Sequence, residues 1–340
     1  MSHKAYIERL VITIAILAVA LLLWHLRDLL LLVFGSVLVA VILRVIARPL
    51  SDRLHLPASV ALLLAVIILL AIIAIAVWMF GSEVAQQSDA LKEALPGAWD
   101  ALQQRLEPLG LAQPLRELSG AGEGIVARLG GVAMSVGGGL ADTLLVIVGG
   151  IYFAAQPRFY RSGMLKLVPP RGRNLAAQAL DDSGKALRLW LLGRLISMAV
   201  VGILTGVGLG LLGIPAALTL GLLAAILEFI PFLGPILAAI PAILLAMALD
   251  PERAIWVAGL YLLLQQVEGN VLEPLVQQRA VNLPPVLLVF ALVSAALIFG
   301  VAGIILGAPL TVVLFVLVKR LYVREALDTP TELPGEDKAG

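Results

Sequence analysis

The chain has 340 residues, 61% hydrophobic and 14% charged, with a formal net charge of +1 and no cysteine. Soluble domains run at about 45–50% apolar and about 25% charged, and the excess here lies in long apolar blocks between short charged segments, the pattern of an all-α polytopic membrane protein. Disulfides, cysteine catalysis and thiolate metal sites are excluded, and the near-neutral charge gives no electrostatic footprint for nucleic acid.

The first unit, residues 1–80, is predicted to hold three membrane helices, near Leu10–Leu26, Leu29–Ala47 and Ala58–Phe80. Lys4 and Arg9 precede the first apolar run as in a signal peptide, but the run continues to Leu23 without a convincing cleavage site. An uncleaved first helix is therefore expected. Residues 81–130 are acidic and amphipathic. Val84, Ser88, Leu91 and Leu95 repeat at helical spacing, as do Trp99, Leu102, Leu106 and Leu109 after the break at Pro96–Gly97. Two short helices forming a small external cap are expected. Residues 131–156 carry a fourth span, near Val132–Ala155.

Residues 157–188 are basic, with Arg158, Arg161, Lys166, Arg171, Arg173, Lys185 and Arg188 against Asp181 and Asp182. Ala176, Leu180, Leu187 and Leu191 share a helical face, which reads as an interfacial helix at the headgroup level. A solvated charged loop would account for the arginines equally well. Residues 189–322 form the expected transport core, with spans near Leu189–Leu212 and Ala254–Val271, and residues 323–340 a disordered tail. Arg44, Arg48 and Arg53, the basic segment, and Lys319, Arg320 and Arg324 all fall on one side once each of the first four spans crosses once. Positive-inside bias puts that side, and both termini, in the cytoplasm.

Within the core, Gly202, Gly206 and Gly210 recur every four residues. That spacing predicts close helix packing, within one subunit or between subunits. Two regions, 216–249 and 284–318, are broken by Pro and Gly. In the first, Pro231, Gly234 and Pro235 separate two apolar pieces of fifteen residues, about 22 Å of helix each against a hydrocarbon core of about 30 Å. Either a re-entrant hairpin or two tilted spans with a shallow loop satisfies that pattern. Pro284–Pro285, the glycines after Phe299 and Pro309 repeat the theme. Paired interruptions of this kind point to a transporter's binding region.

Glu228 lies inside the first broken region, where a charge needs a cavity, a partner or a proton. Its functional reading is a proton- or cation-binding group on the pathway, and its alternative a residue at the membrane surface. Between the broken regions, Gln266, Glu268, Asn270 and Glu273 are candidates to line the inner end of a helix that Pro274 interrupts. Arg279 is a candidate partner for a carboxylate. Asp142 and Arg194 sit inside their spans and read as structural pairing or snorkelling. His3, His25 and His55 are scattered, and no HExxH, Walker A or intramembrane protease constellation occurs. Neither a metal nor a cofactor is expected, and no enzymatic activity.

The run Glu228–Phe229–Ile230–Pro231–Phe232–Leu233–Gly234–Pro235 resembles the "IPYIGP"-like signature of the AI-2E family, with Phe232 at the usual tyrosine. Gln265–Gln266, Glu268–Gly269–Asn270 and Glu273–Pro274 resemble its "Q–GN–P" segment, and Gly300, Gly303 and Pro309 its closing glycines and proline. The resemblance spans nearly the whole chain. It implies a bacterial inner-membrane permease with about eight membrane helices. The cargo it implies is a small polar solute such as autoinducer-2, or monovalent cations exchanged for protons, and a homo-oligomer is compatible with it. A passive facilitator and a non-transporting scaffold are the alternative functions.

Overall fold

The computed structural model describes Leu10, residues 13–14, 17–18, 21–79, 140–272, 274 and 283–331, with the side chain of residue 248 excepted. The expected external cap, Glu273, Arg279 and most of the tail lie outside the described residues, and the first span is only partly within them. The described residues are mostly helical, without strands. Among the described residues, Arg27–Leu54, Ala58–Met79 and Pro170–Leu211 are long and apolar enough to cross a membrane, and the apolar run Pro285–Ala326 is as long but is broken at Gly300.

Helix α1 (Arg27–Leu54) ends at His55, which adopts the left-handed conformation at φ 53°, and Ser51 Oγ donates to the Leu56 carbonyl at 3.0 Å. The chain turns there into α2 (Ala58–Met79). Helix α3 (Leu140–Ala155) packs along α1 through small residues. A Cβ at Gly150 would lie 2.5 Å from Val39, and one at Gly149 2.7 Å from the Ser36 hydroxyl. Ala40, Leu43, Ala47, Ala61, Ala65 and Ala154 close the core of these three helices. Lipid gives little hydrophobic drive to helix association, so close approach of small residues supplies the contact energy.

Helix α4 (Pro157–Lys166) is tied to the next helix by a two-bond Arg161–Asp181 pair at 2.9 and 2.6 Å. That next helix, α5 (Arg173–Leu211), has 39 residues, about 58 Å of length. It exceeds a hydrocarbon core of about 30 Å, so its polar N-terminal half projects beyond the bilayer. The segment expected as an interfacial helix is the N-terminal part of this long helix. The helix runs unbroken through residue 188, and Leu187 and Leu191 are buried against Val312 and Val316 of the last hairpin. The apolar stripe contacts protein, and the flanking charges face outward.

Helix α5 stops at Gly213, whose φ of 66° a residue with a Cβ would resist. Its final carbonyls are taken by Ile214 N (to Leu209 O, 3.0 Å) and Gly213 N (to Gly210 O, 3.0 Å), a Schellman-like stop. Helix α6 (Ala217–Leu227) then returns along α5 and α7 (Leu233–Leu249) runs back out. At 11 and 17 residues they are about 16 and 25 Å long, a helical hairpin with limbs shorter than a full span. Helix α8 (Pro251–Val267) starts from Asp250, whose carboxylate accepts from Glu252 N at 3.0 Å. Arg253 Nη1 donates to the Gly213 carbonyl at 3.2 Å, joining the ends of α5 and α8. One π-type turn, Glu268–Leu272, continues α8.

The last apolar element, α9 (Pro285–Leu317), is a second hairpin and not a straight rod. Gly300 has φ 63° and ψ −138°. Beyond it the chain folds back so tightly that a Cβ at Gly303 would lie 2.0 Å from the Ala295 carbonyl oxygen, and one at Gly307 3.1 Å from Ala295 Cβ. Its second limb leads into Val318–Ala326, where Arg320 bonds Gln178 and approaches Asp182 at 3.7 Å. The open end of this hairpin thus lies with the basic start of α5, whereas the α6–α7 hairpin opens at the opposite end, beside Gly213 and Arg253. The two hairpins enter the bundle from opposite ends.

Candidate functional site: a buried charge cluster at a hairpin tip

The tip of the α6–α7 hairpin is built from the quoted proline–glycine run. Phe232 sits at φ 65°, ψ −42°, and Leu233 N bonds the Pro231 carbonyl across it at 2.8 Å. This is a γ-turn of the strained hand, at a residue with no glycine freedom. Gly234 then passes directly over the end of α6: a Cβ there would lie 2.1 Å from the Leu227 carbonyl oxygen. Pro231 and Gly234 are buried, Pro235 half-buried. The turn leaves Glu228, the cap of α6, pointing into protein, with no exposed surface at all.

Glu228 meets charge from two other elements. Arg194 Nη1, from the middle of α5, lies 3.0 Å from Glu228 Oε1 and donates to Glu268 Oε1 at 3.4 Å. Arg194 and Glu268 are themselves largely buried, with side chains 12% and 15% exposed. The cluster is under-bonded. Both Glu228 oxygens and Arg194 Nε and Nη2 lack a hydrogen-bond partner. Beside it, Glu228, Glu268, Tyr261, Gln265, Pro235 and Ala238 line part of a cavity of about 10 Å³, room for about one water molecule. Tyr261 Oη donates to the Ala238 carbonyl at 3.1 Å, bracing α7 near the ladder position that Pro241 leaves without a donor. Trp190, one turn before Arg194, packs edge-on against Phe229 with ring centroids 6.0 Å apart.

The sequence candidates therefore divide. Glu228, Pro231, Gly234, Pro235 and Glu268 gather at the tip. Gln266 and Asn270 do not join them. Both are exposed, and Asn270 Nδ2 bonds Gln266 Oε1 at 2.9 Å and Gln266 O at 3.0 Å, while the neighbouring Gln265 takes the cavity position. Pro274 is exposed. Glu228 is buried within the protein, whereas Phe232 and Leu233 at the turn itself are exposed.

Arg194 is the functional candidate that sequence reasoning set aside. The signal was available in part: a lone arginine within an apolar span requires a counter-charge, and Glu228 and Glu268 were among the acids on hand, with Asp142 and Glu273. Asp142 sits exposed in the first turn of α3, where the helix dipole favours an acid. Gly202, Gly206 and Gly210 pack within the chain, against α6. A Cβ at Gly202 would lie 2.6 Å from Ala225 Cβ, and Gly206 and Gly210 face Ala217 and Gly221 at 3.5–3.9 Å. No group of three or more His, Cys, Asp or Glu suited to a metal occurs among the described residues.

Residues 10–322 match the family model described as the AI-2E family transporter. The chain belongs to the AI-2E transporter family. Its similarity to curated members of the family is partial. YrrI of Bacillus subtilis (strain 168) is 29% identical over 178 residues, 52% of this chain and 50% of that protein. YueF of the same organism is 31% identical over 145 residues, 43% of this chain and 39% of that protein. TqsA of Escherichia coli (strain K12), named an AI-2 transport protein, is 34% identical over 116 residues, 34% of this chain and 33% of its own length. The chain thus spans half or less of the length of these relatives. Family membership and the apolar helices make this a multi-pass membrane protein of a transport family.

Proposed function

We propose that the chain is a secondary transporter of the bacterial inner membrane. Its cargo is a small polar solute such as autoinducer-2, or monovalent cations exchanged for protons. The observation that carries the reading is the complete burial of Glu228 at the tip of a broken hairpin, in contact with Arg194 and near Glu268. Buried ionisable groups are costly in a membrane chain and are retained where solute or protons move. TqsA's name supplies autoinducer-2 as the first solute to try.

The basic end of the bundle, with Arg44, Arg161 and Arg320, is the cytoplasmic one in this reading. Arg194 and Glu268 lie seventeen residues from the opposite ends of their helices, about 25 Å inward. Two half-length hairpins entering from opposite ends, both re-entrant, then give each side of the membrane its own approach to the cluster, which lies nearer the cytoplasmic end.

The test is flux in proteoliposomes under imposed solute, proton and sodium gradients. Glu228→Gln is expected to abolish the dependence on the driving ion. Unchanged flux and unchanged ion dependence in Glu228→Gln removes the cluster from the mechanism. Flux that follows the solute gradient alone makes the protein a facilitator.

A further inference from the structure

Arg194 holds its two acids in an unusual way. A guanidinium locked to a carboxylate normally presents two parallel N–H groups. Here one nitrogen, Nη1, serves both Glu228 (3.0 Å) and Glu268 (3.4 Å), while Nε and Nη2 are buried without partners. The contact with Glu228 is close in distance but lacks hydrogen-bond geometry. Ionised, the two carboxylates and one guanidinium carry a net charge of −1. The groups facing Glu228 from the elements packed on it are Arg194 on α5, and Tyr261, Gln265 and Glu268 on α8 and its final turn. Among the described residues Arg194 is the cation that pairs with these acids.

We propose that Arg194 is a tethered competitor for the Glu228–Glu268 pair, which accepts either the guanidinium or one free monovalent cation, in turn. The displaced guanidinium stays on the chain with its charge, so entry of a proton or an alkali ion takes the three groups from −1 to 0, whereas a divalent ion would take them to +1. The cavity beside the acids, about 10 Å³, has room for an ion or one water and not for an organic solute. Arginine's long stem lets the head group leave while the helix stays in place. Arg194 is the contact that ties the hairpin tip to α5 through charge, so cation entry also frees the tip. This inference rests on the secondary-transport reading and names the ion site within it.

Trp190 supplies a readout independent of flux, since it touches Phe229, the residue after Glu228. In detergent-purified protein with Trp24, Trp78, Trp99 and Trp256 replaced by Phe, Trp190 emission is titrated in two arms. One varies pH without alkali ions. The other varies sodium or lithium at fixed pH, with choline at matched ionic strength. A saturable change in either arm identifies the ion. Arg194→Gln is expected to tighten its half-saturation by about tenfold, within the range of coupling between linked sites. Glu228→Gln is expected to remove the response. Arg194→Lys, which keeps a competing cation, is expected to fall near the parent and guards against a folding defect in Arg194→Gln.

A parent protein silent in both arms overturns the proposal, as does a half-saturation identical in Arg194→Gln and the parent. Ion-driven solute flux alongside either result leaves the transport reading standing. Saturable, Arg194-dependent binding in a protein that moves no solute supports the site and overturns the transport reading instead.

Discussion

Replacing Gly221 by Ala tests whether the α5–α6 contact is as tight as the backbone places it. A Cβ at Gly221 would lie 2.7 Å from the Gly202 carbonyl oxygen and 2.8 Å from both N and Cα of Gly206. All three are backbone atoms of a long helix, so no side chain can swing aside, and one of the helices must shift. Overpacking of this kind costs about 1–3 kcal/mol. Alanine also gains about 1 kcal/mol over glycine in a helix interior, so the net loss expected is about 0–2 kcal/mol. The matched control is Gly206→Ala. Its Cβ would meet Ala217 O at 3.5 Å and Gly221 Cα at 3.8 Å, ordinary contact, so only the propensity gain remains. The two variants should therefore differ by about 1–3 kcal/mol, although each adds the same methyl group to the same interface. Chemical unfolding in micelles, followed by loss of helical signal, measures the difference. If Gly221→Ala is as stable as Gly206→Ala, the interface has slack and the packing argument fails.

Three further outcomes are expected. Arg194→Leu leaves Glu228 buried and unpaired and should cost about 3–5 kcal/mol. The double variant Arg194→Leu/Glu228→Leu should be more stable than the sum of the single effects predicts, and additivity in that double-mutant cycle would deny the coupling. Gly234→Ala and Gly303→Ala each drive a Cβ to within 2.1 and 2.0 Å of a carbonyl oxygen. Both should lower the folded yield sharply by size-exclusion profile, while Gly163→Ala, which meets nothing within 4 Å, should not. Phe232→Gly relieves a left-handed φ of 65° and should gain up to about 1–3 kcal/mol less what Phe232 packing contributes. A loss larger than about 3 kcal/mol would mean that the turn is held by the phenyl ring rather than strained by it.

The class of the protein was legible in the sequence because lipid removes alternatives. With no water to take up backbone groups, long apolar blocks must be helices, and the interruptions at Pro231–Pro235 and Gly300 became the turns of two helical hairpins. Glu228 and Glu268 were legible for the same reason, since a charge in lipid is expensive enough to be a signal by itself. What the sequence hid is pairing across distance. Nothing local to Arg194 reveals that Glu228 and Glu268, carried by other elements, converge on one of its nitrogens. Nor does helical spacing decide between Gln265 and Gln266, both exposed, of which only Gln265 borders the cavity. The glycine stripe marked one half of an interface, and Gly221, the tighter half, stood alone on α6 with no period to mark it.

The two hairpins share a construction and differ in what their tips carry. Each limb is shorter than a span, and each tip depends on a glycine pressed on a carbonyl, Gly234 on Leu227 and Gly303 on Ala295. A Cβ at Gly300 would meet nothing within 4 Å, so the second tip makes no close contact at its turn. The first tip ends in Phe232, Glu228 and a shared arginine. On the proposed exchange such a tip would have two arrangements, with Arg194 engaged or released, whereas the second has no charged contact at its turn to engage or release. Coupling between an ion and a moving element requires two arrangements whose balance the ion can shift. On that ground the proposal assigns ion coupling to the α6–α7 tip and not to the α9 tip. Transplanting the charge shows it: with Glu228→Gln at the first tip, an acid placed at the second has no arginine to displace and should restore no ion dependence.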